Sequence, residues 1–191
     1  MGADRRMFPP PWASLPDFTA HDWPRYSGEQ SLAAMAESVC RNCGIHDGDS
    51  LIGASLGGMV ACEITSTRKI KALYLVGSAT RKEEVNSLLA ILHPLAQVAP
   101  FDWLRLSAGK IPSELAQMFA ETDAAFMRAM CVAIFDWQGL KASAVKVHRI
   151  HGKHDLVIPS PAKVDLLLDG GHLISITHAR ECVEFIRERC S

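Results

Sequence analysis

A chain of 191 residues with 48% apolar and 21% charged residues can close one substantial hydrophobic core, so a single domain over 1–191 is expected. A formal net charge of −1 leaves no electrostatic footprint for nucleic acid or an anionic membrane, and points to a small-molecule partner instead. No run approaches the roughly 20 apolar residues of a spanning helix, and no apolar signal core follows Met1-Gly2-Ala3-Asp4-Arg5-Arg6, which makes a cytoplasmic protein the expectation.

In chain order, Met7 to Asp17 reads as loop, because Pro9, Pro10 and Pro11 remove backbone donors and fix φ. Phe18-Thr19-Ala20-His21 reads as a short strand. Ser27 to Asn42 is a helix by the spacing of Leu32, Met35, Ala36, Val39 and Cys43, with Ser27 or Ser31 as its cap and Gly44 as its stop. Ser50-Leu51-Ile52-Gly53-Ala54-Ser55-Leu56-Gly57-Gly58 then runs from a buried strand through a tight turn into a helix over about Gly58 to Ser66. A serine on so sharp a turn needs neighbours that approach closely, which marks Gly53 and Gly57 as the residues the geometry requires. Lys69 to Gly77 is the clearest strand, and its continuous apolar tail argues for a buried parallel position.

Two helical stretches follow, about Lys82 to His93 and Pro112 to Phe135, rich in Leu, Met, Phe and Ala. Val145 to Ile150 is the next strand, and Lys163 to Leu168 another. The residues between them carry no helical pattern, so the crossover helix that parallel neighbours usually need is expected to be missing. Thr177 to Cys190 closes the chain as a helix. The six cysteines, Cys40, Cys43, Cys62, Cys131, Cys182 and Cys190, are scattered and read as small hydrophobes. Cys40-Arg41-Asn42-Cys43 lacks the second pair that a zinc site would need, so no metal or cofactor is implied.

Gly-x-Ser-x-Gly alone is an ordinary loop composition. It gains meaning from what lies downstream: His151-Gly152-Lys153-His154-Asp155-Leu156-Val157-Ile158-Pro159 after a strand, and Gly170-Gly171-His172 after another. Serine, acid and histidine thus follow the order Ser, Asp, His. Ser55 is the candidate nucleophile at a helix N-terminus, where free N–H groups favour an oxyanion. His172 is the base and Asp155 its orienter. His151, His154 and His178 are weaker candidates for the base, and Asp136 and Asp169 for the acid.

These three motifs resemble the α/β-hydrolase superfamily, most closely its small carboxylesterase-like members such as the pimeloyl-carrier-protein methyl esterases. The resemblance runs from about Phe18 to the end, with Asp22-Trp23-Pro24 standing like the Asp-x-Pro after that family's fourth strand. It implies an α/β fold with a mainly parallel sheet of about five or six strands, helices on both faces, and a helical lid inserted at about 81–140. The implied function is a serine hydrolase cleaving a small carboxylic ester or thioester through an acyl-enzyme on Ser55. The same triad also serves perhydrolysis or carbon–carbon bond cleavage, and fold resemblance does not choose among chemistries.

One part of the pattern is missing. The Leu56 amide supplies one oxyanion donor, but the His-Gly motif that normally supplies the other is not there. Met7, Phe8 or Trp12 can replace it, and Phe8 is favoured by position. The alternative is a degenerate hydrolase fold that binds a small ligand or a protein partner without catalysis. The N-terminal part of the family's sheet also has no counterpart, which leaves a sheet edge exposed and allows a homodimer.

Overall fold

A computed structural model describes residues 4–85, 121–141 and 145–190. Four strands, β1 (Ser50–Ala54), β2 (Ala72–Val76), β3 (Lys146–Gly152) and β4 (Leu166–Leu168), form one parallel sheet in sequential order. β2 is buried at all five positions because both its faces are covered. Leu73 and Leu75 point into one core, and Ala72, Tyr74 and Val76 into the other.

The first core is built by α1 (Leu32–Cys43), α2 (Leu56–Ile64) and α3 (Ala124–Asp136). α1 starts where Ser31 Oγ accepts the Ala34 amide at 3.1 Å, and stops at Gly44, whose φ of 65° a side chain would resist. Its buried residues Leu32, Met35, Ala36 and Cys40 recur at helical spacing. α3, capped by Asp123, sends Phe126, Met130, Ala133 and Ile134 into the same core. Trp137, just beyond α3, donates its indole N–H to the buried Glu63 of α2 at 2.8 Å. The second core holds α4 (Ile174–Thr177), α5 (Ala179–Arg187) and a 3₁₀ segment at Pro10–Ser14. Each fully buried Leu or Ile on these faces stabilises by about 1.5–3 kcal/mol.

The fold class read from the sequence stands, with differences in detail. Four strands are present among the described residues, where about five or six were expected. Phe18 to His21, expected as a strand, joins no ladder. Four residues of extended propensity make no strand without a partner. Of the expected lid at 81–140, residues 86–120 lie outside the described residues; its first part holds a 3₁₀ turn at Lys82–Glu84, and α3 at its far end is packed as core. Residues 153–165 carry no helix, as the missing crossover pattern indicated. The strand read at Lys163 to Leu168 shrinks to the three residues that pair with Ile150, His151 and Gly152. The last helix is two, broken at His178.

Candidate active site

Ser55 sits between β1 and α2 with φ 50° and ψ −123°, a backbone conformation that costs a non-glycine residue about 1–3 kcal/mol. Three contacts hold it there. Its N–H donates to Val76 O at 3.1 Å, and its C=O accepts from the Gly58 amide at 3.0 Å and from Ser78 Oγ at 2.6 Å. The glycines that let the turn close are Gly53 and Gly58. A Cβ on Gly53 would meet the Gly58 Cα, and one on Gly58 would meet the Ser78 side chain. A Cβ on Gly57 would meet nothing within 4 Å, so the close-approach role expected for Gly57 belongs to its neighbour.

The acid comes from the turn after β3. Asp155 Oδ1 accepts the amides of Val157 and Ile158, each at 2.9 Å, and Oδ2 accepts from His172 Nδ1 at 2.8 Å. His151 lies behind it: its Nε2 donates to Ile158 O at 2.7 Å and stands 3.4 Å from Asp155 Oδ2. Burial pushes the Asp155 carboxyl up, but the bonds from His151, His172 and the backbone outweigh it and hold the group well below the ordinary carboxylate range.

His172 follows β4 in a loop stitched to the acid turn. Lys153 N–H donates to Leu168 O at 2.8 Å and His154 N–H to Gly170 O at 2.9 Å. Gly152 has no room for a Cβ against the carbonyls of Gly170 and Gly171, so the two loops pack backbone to backbone. His172 Nε2 lies 2.9 Å from Ser55 Oγ. A carboxylate only accepts, so Nδ1 carries the ring proton and donates to Asp155; Nε2 is left to accept from the serine hydroxyl.

The structure thus brings Ser55, His172 and Asp155 into one chain of hydrogen bonds. The rivals stand elsewhere: Asp169 accepts from His154 Nε2 at 2.9 Å, both side chains exposed, and the His178 ring is bonded to Thr177. Ser78 and His151 are supports that the sequence reading passed over. Ser78 belongs to no motif, whereas His151 stood in the quoted acid loop and could have been found from its spacing to Asp155.

The Leu56 amide, first in α2, has no acceptor among the described residues. Phe8 corrects an expectation: its N–H donates to Arg5 O at 3.0 Å, closing the 3₁₀ turn Arg5–Met7. The other two candidates are also engaged, Met7 by Asp4 O and Trp12 by Pro9 O, each at 3.0 Å. A short turn uses its amides locally, and position in the chain could not reveal that.

Ser55 opens onto a groove of about 720 Å³ that runs beside β1 and is walled by Phe8, Phe18, Val60 and Tyr74. A smaller recess of about 400 Å³, at Thr80, Arg149 and Lys163, is lined by none of Ser55, Asp155 and His172. Among the described residues, no three His, Cys, Asp or Glu side chains are grouped to hold a metal ion, and no helix is long and apolar enough to cross a membrane.

No family model matches the chain, and no curated protein matches it in sequence. Solved structures do. A lipase-esterase related protein from Clostridium acetobutylicum superimposes with a TM-score of 0.73 at 14% identity, over 98% of this chain and 90% of that one. An extracellular alpha/beta-hydrolase from a Paenibacillus species gives 0.68 at 13% identity, over 98% and 94%. A meta-cleavage product hydrolase from Pseudomonas fluorescens gives 0.69 at 16% identity, over 97% and 83%. With its parallel sheet, its flanking helices and a serine turn at the end of β1, the chain has the α/β-hydrolase fold.

Proposed function

We propose that this protein is a serine hydrolase that cleaves a small carboxylic ester or thioester. The observation that carries the reading is the hydrogen-bond chain from Ser55 Oγ through His172 to Asp155, at 2.9 and 2.8 Å. Ser55 Oγ attacks the substrate carbonyl carbon while His172 Nε2 takes its proton. The tetrahedral oxyanion is met by the Leu56 amide and the N-terminal end of α2. Collapse breaks the bond to the leaving alcohol or thiol, which receives the proton from His172 and leaves an acyl group on Ser55. Water then gives a proton to His172 and attacks the acyl carbon; the bond to Oγ breaks, and the proton returns to Ser55. Asp155 stays ionised throughout and holds the ring in the tautomer each step requires.

The engaged Phe8 amide favours a second reading, a fold of this kind that binds a ligand and does not turn it over. A missing oxyanion donor costs on the order of 10² to 10³ in rate, which slows a hydrolase without abolishing its nucleophile. Labelling with a fluorophosphonate separates the two. Stoichiometric labelling of wild type at Ser55, lost in Ser55→Ala and in His172→Ala, is the expected result. Folded wild-type protein that takes no label would sink the hydrolase reading.

A further inference from the structure

Among the described residues β1 is the edge of the sheet, and its open side forms one wall of the groove onto which Ser55 opens. In a parallel ladder the N–H and C=O of one residue point to the same side, and successive residues alternate. Ser55 donates to Val76 in β2, so Gly53 and Leu51 also face β2. The amides and carbonyls of Ser50, Ile52 and Ala54 therefore face the groove, and among the described residues nothing pairs with them.

From this we infer that the substrate's acyl part is an extended chain carrying amide groups, which adds itself to β1 as a further strand and places its terminal ester or thioester carbonyl at Ser55. The inference rests on the hydrolase reading and deepens it. A plain hydrocarbon chain in the groove would strip water from the Ile52 and Ala54 backbone and return no hydrogen bond, which is costly for buried amides. A peptide-like arm returns both, and the side-chain pattern of an extended strand suits the half-apolar walls. Lengths agree: β1 has five residues, about 17 Å at about 3.3 Å per residue, and the groove runs its length to Lys71 and Cys190. The outward groups of Ile52 and Ala54 are two residues apart, the spacing of alternate amides in a peptide.

Charge narrows the class further. Of the acidic residues along the groove, Asp4 is bonded to Arg6, Asp22 to Arg5, and the Asp49 carboxylate accepts the His46 amide at 2.8 Å. Among the described residues that line the groove, Lys71 is the one lysine or arginine, which suits an arm that is neutral or cationic better than a phosphorylated one.

The test compares the p-nitrophenyl ester of N-acetyl-glycylglycine with that of a straight-chain acid of equal length, each rate normalised to the ester's own alkaline hydrolysis. The expected result is a kcat/KM about tenfold higher for the amide-bearing ester, the worth of one or two hydrogen bonds. N-methylation of one of its two amides should remove that advantage. Equal or faster turnover of the alkyl ester, or indifference to both methylations, would overturn the inference while leaving the hydrolase reading intact. A measurement free of turnover uses the Ser55→Ala protein with N-acetyl-triglycine amide. Exchange of the Ile52 and Ala54 amide protons should slow, and the peptide methylated on its backbone nitrogens should not slow it. Unchanged exchange with millimolar peptide counts against the strand-addition mode even if neither ester is turned over. Protection that rises with protein concentration without peptide would put a second copy on the edge, and also overturns it.

Discussion

At the scale of single residues, Asp155 shows how local bonding sets chemistry. Its side chain is fully buried, yet two amides and two histidines make the ionised form the favoured one. Asp155→Asn would offer an amide where Nδ1 now donates, so the ring would flip its proton to Nε2 and could not take the serine proton. A fall in kcat/KM of about 10⁴ is expected. The stability effect has a definite sign. The folded carboxyl is lowered below its unfolded value of about 3.9, so its contribution is fully present above that pH and disappears as pH falls through the folded value. Denaturant midpoints of wild type and Asp155→Asn should therefore differ by a constant amount from neutral pH to about pH 5, and converge in stronger acid. A gap that widened on acidification would contradict this account of the site.

At the scale of elements, the serine turn is where strand and helix lock together. Gly53→Ala places a methyl group against backbone of α2 that no rotamer change can move, and Gly58→Ala places one against Ser78. Each should lower unfolding free energy by about 3 kcal/mol. Gly57→Ala meets empty space inside a helix, where alanine is favoured over glycine by about 0.5–1 kcal/mol, so stability should hold or rise slightly. Urea titration of the three variants checks the contrast. The sequence could mark this turn but could not choose between Gly57 and Gly58, which are adjacent; the choice is made by which face of α2 turns toward β1. Helix caps were legible for a related reason, since Ser31 and Gly44 act through their own backbone neighbours. Phe18 to His21 was misread because a strand is a property of two segments, and only one of them lies in those four residues. The order Ser, Asp, His could be read along the chain, whereas the engaged Phe8 amide could not, because a 3₁₀ turn at Arg5–Met7 leaves no mark in spacing.

At the scale of the whole molecule, the sheet separates two cores, and Ser55, Asp155 and His172 follow the ends of β1, β3 and β4. The start of the chain joins this frame through Trp12. Its side chain is fully buried in the second core, its indole N–H donates to Ser175 O at 2.8 Å, and its ring meets Phe8 edge-on at 5.1 Å and Phe18 at 6.0 Å. Phe8 and Phe18 are groove walls, so Trp12 couples the packing of α4 and α5 to the space in front of Ser55. Trp12→Ala should cost about 3–5 kcal/mol by emptying that position. Trp12→Phe keeps much of the apolar volume but strands the Ser175 carbonyl, at about 1–3 kcal/mol. Ser55, Asp155 and His172 are held from β1, β3 and the loops beyond β3 and β4, none of which Trp12 supports by hydrogen bond. Folded Trp12→Phe protein should therefore label at Ser55 with fluorophosphonate at close to the wild-type rate, while KM for longer acyl esters rises as the groove walls loosen. Loss of labelling in that folded variant would mean that the N-terminal segment takes part in activating the serine.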